Sequence, residues 1–323
     1  MPYNLADMKR VEKDPLRAGV IDVFQRESFA LDYLTFENVD TLGITVLRTK
    51  TLPTVAWRRI GEAWGESKGI LEPMSERVFA LGGKIDMDTV LAAVKTTVDQ
   101  RALQMDMFTT AMAYGFNDAF VNGNPTVDPD AITGLWYRSL NIAFLPTSQH
   151  VNREVDISLD ASALSANEDA FLEYVDELID ACDGHSADCL WMNAQIHRRF
   201  NAIIRKKGLF DTTQDNYGRE ITTYGPGGPK LLDLGVKADQ ATQIIGNVET
   251  VAGTALTGGP ATSIYATKLG EKYLQGIQLY PLKTKDKGEI DDGVTLRSIV
   301  DWVVGITHWH PRSVARLSGI TVV

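Results

Sequence analysis

Five histidines, two cysteines and a run of carboxylates are the residues of this 323-residue chain that could do chemistry. Cys182 and Cys189 flank His185, which would offer thiolate and imidazole ligands to a metal. Structural zinc takes four ligands, commonly from CxxC-type pairs, and no second pair follows, so the cysteines read as small residues in and around a helix. His308 and His310 alternate along a β-like run and could share a metal. No third ligand accompanies them, so they read as the polar face of a strand beside Trp309. His150 and His197 complete the set. Glu168, Asp169, Glu173, Asp176, Glu177 and Asp180 place carboxylates four apart on a helix. With no pocket to perturb them they read as a solvated face. Arg198, Arg199, Arg205, Lys206 and Lys207 form a basic group. It could touch nucleic acid, but reads as facing solvent or the acidic helix of an adjacent copy.

Two glycine-rich loops, Gly225–Pro229 and Thr257–Pro260, invite a phosphate-cradle reading. Both contain proline, which removes backbone donors, so tight turns are expected. No GxxxxGK[ST] loop, no GxGxxG after a strand and no GxSxG elbow occurs. No catalytic, cofactor or metal residue is assigned, and the chain is not expected to be an enzyme.

The elements available to position functional residues set the next bounds. A hydrophobic content of 44% in 323 residues is enough for one large core or two moderate ones. No 18-residue apolar run exists, so no transmembrane helix is expected. The N-terminus MPYNLADMKRVEKDP has no apolar signal stretch, which predicts synthesis in a cytoplasm. The net charge of −10 argues against tight nucleic-acid binding, because neutralising phosphates takes clustered Lys and Arg.

Residues 1–40 read as an arm, with short helical pieces at Leu5–Lys13 and Pro15–Arg26. Residues 41–83 form a long hairpin-like excursion, with β-like runs at Gly43–Lys50 and Val55–Ile60, a return strand at Glu76–Leu81, and Gly82-Gly83 closing it. A two-stranded excursion is marginal alone, and Trp57, Trp64 and Phe79 are costly to expose, so it should pack on another body. Residues 86–122 place apolar side chains from Val90 to Phe120 in steps of three and four. That predicts one spine helix of roughly 50 Å, capped by Asp86 or Asp88 and stopped at Gly123. Ser165 and Glu168 suggest a capping box opening a helix to about Asp183 that buries Phe171, Val175, Leu178 and Cys182. A buried strand at Asp188–Met192 follows, then a helix over Asn193–Lys207. Strands are expected at Glu220–Tyr224, Lys230–Leu234, Thr262–Leu269, Tyr273–Leu282 and Val294–His310, and a short helical turn at Pro311–Leu317.

The order of parts and four local stretches carry a resemblance. TLPTVAWRRIGEAWGESKG (51–69), LGGKIDMDTVL (81–91), FNDAFVNGNPTVDPDAITGL (116–135) and VDWVVGITHWHPRSVARLSGI (300–320) look like the extended loop, the entry to and exit from the spine helix, and the closing strand of one family. The chain resembles the major capsid proteins of tailed bacteriophages, which share the Hong Kong 97-like fold.

The resemblance implies an α+β fold with an N-terminal arm (1–40), an extended loop (41–83), a peripheral domain (84–135 and 283–323) and an axial domain (136–282). It implies self-assembly into hexamers and pentamers of an icosahedral head enclosing double-stranded DNA without sequence-specific binding. A separate scaffolding protein, a portal and a decoration protein are the implied partners, with no membrane and no cofactor, and the implied place is the virion capsid assembled in the host cytoplasm. Trp57, Arg58, Arg59, Trp64, Lys68 and Phe79 of the extended loop are expected to contact a neighbouring subunit. An encapsulin nanocompartment, which resembles the same fold, and an α/β enzyme of unknown reaction are the alternatives.

Overall fold

The computed structural model describes residues 28–90, 100–141, 144–159, 164–215, 218–256, 258–290 and 293–322. The expected arm helices at 5–13 and 15–26, and the part of the spine at 91–99, lie outside the described residues.

The fold is α+β and built on two sheets and a protruding ribbon. Helix α1 (Phe29–Tyr33) is capped by Ser28, whose Oγ accepts from the Leu31 amide at 3.2 Å. Strand β1 (Phe36–Asn38) then runs parallel to β11 (Leu274–Glu289). Strand β11 pairs antiparallel with β12 (Thr295–His308), and β12 pairs antiparallel with β4 (Phe79–Asp88), which completes a four-stranded sheet. The ribbon is β2 (Gly43–Thr51) against β3 (Ile70–Arg77). The second sheet has seven strands in the order β5, β13, β10, β6, β9, β8, β7. Their ranges are β5 His150–Asp156, β6 Cys189–Met192, β7 Phe210–Gln214, β8 Glu220–Tyr224, β9 Lys230–Asp233, β10 Ala261–Thr267 and β13 Val314–Thr321.

The spine helix α2 (Gln100–Asn122) turns Met105, Met112, Phe116 and Phe120 onto one face, and all four are buried. Phe116 meets Trp302 of β12 at 5.3 Å between ring centroids, and Phe120 meets Trp191 of β6 edge-on at 5.7 Å. One apolar core therefore joins the spine to both sheets. The other face of the seven-stranded sheet is covered by α4 (Leu164–Ala181) and α5 (Ala194–Lys207), locked by Phe171 against Phe200 at 5.1 Å. A short helix α3 (Leu135–Leu140) lies between the spine and β5. The inward positions expected for α4 and α5, including Cys182, Ile196, Ile203 and Ile204, are all fully buried. Asn193 caps α5 through its side chain to the Ile196 amide, and Gly208 ends it at φ 74°.

Several expectations need correction. Pro311–Leu317 is not a helical turn. Val314–Thr321 is strand β13, inserted between β10 and β5, and its burial on both faces outweighs local turn propensity. The expected run at Val55–Ile60 forms no strand, and the return strand at Glu76–Leu81 is two strands divided at Val78. Gly82 and Gly83 lie within β4 rather than in a closing turn. A Cβ on Gly82 would sit 2.3 Å from the Val300 carbonyl oxygen, so glycine there permits close strand approach. Strand β4 runs through Asp86, so the cap is Asp88, whose carboxylate accepts from the Val90 amide at 2.7 Å. Val90 and Ala102 are exposed rather than on the buried face. Gly123 stops the spine by proximity and not by a left-handed turn, since a Cβ there would lie 2.0 Å from the Ile132 oxygen.

The capping box also fails. Ser165 lies inside α4, and Glu168 is buried, taking Arg199 at 2.9 Å and Lys206 at 2.5 Å. The acidic helix is thus not wholly solvated, and Arg199, Lys206 and Lys207 of the basic group meet the acidic helix of their own chain, whereas Arg198 and Arg205 donate to carbonyls of α5 itself. Finally, the boundary drawn at 283 falls inside β11. Residues 283–289 of β11 and all of β12 belong to the four-stranded sheet, and β13 belongs to the seven-stranded one.

Candidate assembly site: the extended hairpin and its buried root

The hairpin organises its own tip. Strands β2 and β3 pair from Gly43 opposite Arg77 to Thr51 opposite Ile70. Between them the Glu62 amide donates to the Arg59 oxygen at 3.2 Å, with Gly61 at φ 96° in the third position of the turn. Arg58 donates to the Glu62 oxygen at 2.9 Å and holds its guanidinium 5.2 Å above the Trp64 ring. The rest of the tip shows its apolar surface to solvent. Leu47, Leu52, Val55, Trp57, Ile60, Trp64, Ile70 and Leu71 are exposed, Trp57 and Ile60 completely. Arg58, Arg59 and Lys68 are exposed among them. Phe79 lies elsewhere. It opens β4 opposite Val304 and packs half-buried against the chain's own core.

The root of the hairpin is a buried charged network. Alternation along β2 and β3 turns Val46, Arg48, Met74 and Glu76 inward. Glu76 receives Arg138 of α3 through both oxygens, at 2.5 and 3.0 Å. Arg138 also donates to the Thr133 oxygen at 2.9 Å and the Ile306 oxygen at 3.0 Å, and it has no exposure. Arg48 donates to the Phe144 oxygen at 2.5 Å and reaches His308 Nε2 at 2.8 Å. His308 closes the set, with Nδ1 against Arg138 and 3.5 Å from Glu76, and Nε2 3.0 Å from the Phe144 oxygen.

Burial by itself would raise the Glu76 pKa, but the Arg138 charge and the bonds from His308 and Arg138 outweigh it and hold Glu76 at about 2. Burial, helped by the Arg138 charge, pushes His308 below its usual value against the pull of Glu76. His308 is therefore neutral at pH 7, and a lone pair remains to accept from an arginine. This arrangement joins the two hairpin strands to α3 and the end of β12.

The other candidate residues assemble no reactive centre. Cys182 and Cys189 are free and buried, and burial pushes Cys182 up to about 12 and Cys189 further still. His185 is exposed, 3.4 Å from Asp180, and His310 lies 3.9 Å from Asp183. Among the described residues no group of three His, Cys, Asp or Glu is placed to hold a metal. The Gly225–Pro229 loop is a tight turn, with Gly225 and Gly227 at positive φ. His150, beside Ser318, is lowered to about 4 by burial and the Arg316 charge. Arg48, Glu76, Arg138 and His308 went unnoticed as a group in the sequence. The only local signal was a charge at an inward-alternating position beside Val46 and beside Met74.

Residues 13–155 match the model of the family described as major capsid protein GP7. No curated protein matches the chain in sequence. Among solved structures, the chain is similar to the holo-SrpI encapsulin of Synechococcus elongatus PCC 7942, with 14% identity, a TM-score of 0.60, and 89% of this chain and 85% of that one covered. It is similar to the capsid of the native GTA particle at 15% identity and TM-score 0.60, covering 91% and 90%. It is also similar to Mycobacterium phage Bobi at 11% identity and TM-score 0.58, covering 92% and 90%. These likenesses establish the fold, and the matched family is structural rather than enzymatic. The extended hairpin, the spine and the two sheets give the chain the fold of these capsid and encapsulin shells, the Hong Kong 97-like fold, and residues 13–155 are similar to the capsid family itself.

Proposed function

We propose that the chain forms hexamers and pentamers of an icosahedral bacteriophage head around double-stranded DNA, with each hairpin laid over an adjacent copy. The exposed tip carries this reading. Two tryptophans and several aliphatic residues on a ribbon of two strands are a large apolar cost in a free subunit. A neighbouring copy removes that cost at every position of a closed ring. Trp57, Arg58, Arg59, Trp64 and Lys68 are the proposed contact residues, whereas Phe79 serves its own subunit's core. In this reading the four-stranded sheet with the spine is the peripheral body, and the seven-stranded sheet with α4 and α5 is the axial one. The acidic net charge suits a wall that encloses nucleic acid without gripping it. A scaffolding protein, a portal and a decoration protein are the proposed partners, met in the host cytoplasm.

Deleting Gly61–Gly69 is expected to leave a folded subunit that assembles poorly. Electron microscopy of protein expressed with its neighbouring genes checks this, and normal shells from the deletion variant would sink the clasp. Trypsin should cut after Arg58 and Arg59 in the free subunit and be blocked in particles. The similarity to an encapsulin supports a second reading, a nanocompartment shell. Nucleic acid inside the particles favours the phage head, and enzyme cargo favours the nanocompartment.

A further inference from the structure

A cavity of about 430 Å³ opens beyond the end of the spine, lined by Asn124, Trp136, Tyr137, Leu140 and Asn141. Its wall is held firmly, since the Tyr137 ring stands edge-on to Phe144 at 6.0 Å. The indole N–H of Trp136 is buried and finds no acceptor among the described residues. A donor left in this state is a net cost to the isolated subunit. The turn that starts at Asn124 borders the cavity. The amides of Val127 and Asp128 both donate to the Asn124 oxygen at 3.0 Å, and Thr126 Oγ1 lies 3.4 Å from Tyr137 Oη. This turn presents Asp128 and Asp130 to solvent.

We propose that this cavity is the receptor for the hairpin tip of a second copy, with Trp57 as the inserted ring and Arg59 opposite Asp128 and Asp130. The inference rests on the reading that the hairpin clasps an adjacent subunit, and it names the surface that is clasped. The tip supplies what the cavity lacks. Trp57 is a fully exposed aromatic ring, and aromatic rings pack edge-on or offset against others. Residues 52–59 and 62–69 form no ladder, so their carbonyls would serve the Trp136 N–H once docking turns the indole outward. The basic pair Arg58-Arg59 directly follows Trp57, and the turn that leaves the cavity-lining Asn124 carries the exposed carboxylates of Asp128 and Asp130. Tip and cavity are different surfaces of one chain, so the contact is heterologous and propagates from copy to copy around a ring.

The test uses full-length subunits carrying Trp57→Cys or Leu140→Cys, purified separately, mixed, assembled and oxidised. Both native cysteines are buried and do not compete. Disulfide-linked pairs should form in the assembled mixture at least about tenfold more than between Trp57→Cys and Met107→Cys, which places the partner thiol on the exposed side of the spine. Independently, Arg59→Glu should raise the concentration needed for assembly about tenfold, and adding Asp130→Arg should restore it to within about threefold. The charge swap involves only exposed positions, so it decides the matter even if Leu140→Cys fails to fold. Preferential linkage to Met107→Cys, or no rescue by Asp128→Arg or Asp130→Arg while the Gly61–Gly69 deletion still blocks assembly, would overturn the cavity and leave the clasp standing. Normal assembly of the deletion variant would remove both.

Discussion

Arg138→Met should lower the unfolding free energy of the unassembled subunit by about 3–5 kcal/mol, read from urea titration, because it strands Glu76 in a dry site without its main partner. Removing both members, as Glu76→Met with Arg138→Met, should recover part of the loss, since no lone charge is then buried. Recovery should be incomplete, because the Thr133 and Ile306 oxygens still lose their donor. The network also sets the response to acid. Glu76 is held at about 2 from an ordinary 4.5, so its contribution is complete above pH 4.5 and is lost as pH falls toward 2. His308 is lowered from 6.5, so its contribution is complete above pH 6.5 and declines below that. His150 and His197, also lowered by burial, act in the same direction. Stability should therefore fall in two stages on acidification, and Glu76→Gln should flatten the stage below pH 4.5. Each is checked by the urea midpoint as a function of pH, and an unchanged lower stage in Glu76→Gln would show that Glu76 is not the group responsible. Protease cutting of the hairpin should rise along with the loss, because Arg48 and Glu76 are its own root residues.

Phe36→Ala should cost about 3–5 kcal/mol in the same titration, since the ring is buried edge-on to Trp302 at 5.3 Å and packs near Phe116. The ring lies directly over Gly276, where an added Cβ would meet its atoms at 2.3 Å. Gly276→Ala should therefore be strongly destabilising in the native chain, and far less so in the Phe36→Ala background, where the obstructing ring is gone. The expected coupling between the two sites is about 2 kcal/mol, near the upper part of the range for residues in contact. Simple addition of the two losses would show that the ring does not depend on Gly276. The same lesion should release β1 from β11, which hydrogen exchange at Phe36–Asn38 would report.

The legible parts of the sequence were those with strong local periodicity. The inward faces of α4 and α5, the Asn193 cap and the strands around the Gly225–Pro229 turn follow from spacing and capping chemistry alone. The excursion was legible as a hairpin, although the β-like run at Val55–Ile60, which holds Trp57, forms no strand. What misled was context. Pro311 and Arg312 suggest a turn, yet the following residues enter the centre of a sheet because β10 and β5 wait on either side. Glu168 looks like one more surface acid until α5 is laid beside α4 and brings Arg199 and Lys206 to it.

The sequence by itself determined the helices α4 and α5 and the faces they bury, most of the strands, the absence of recognised catalytic motifs and the order of parts that resembles the capsid fold. Those properties depend on residues a few positions apart, and side-chain periodicity records them directly. Only the tertiary structure decided that Arg48, Glu76, Arg138 and His308 meet, and that Asn124, Trp136 and Leu140 line an open cavity. The Arg138–Glu76 bond spans 62 residues and the Arg48–His308 bond spans 260. No local pattern encodes such pairs. They exist because the hairpin root, α3 and the end of β12 are packed together, and burial then makes every unpaired charge among them costly.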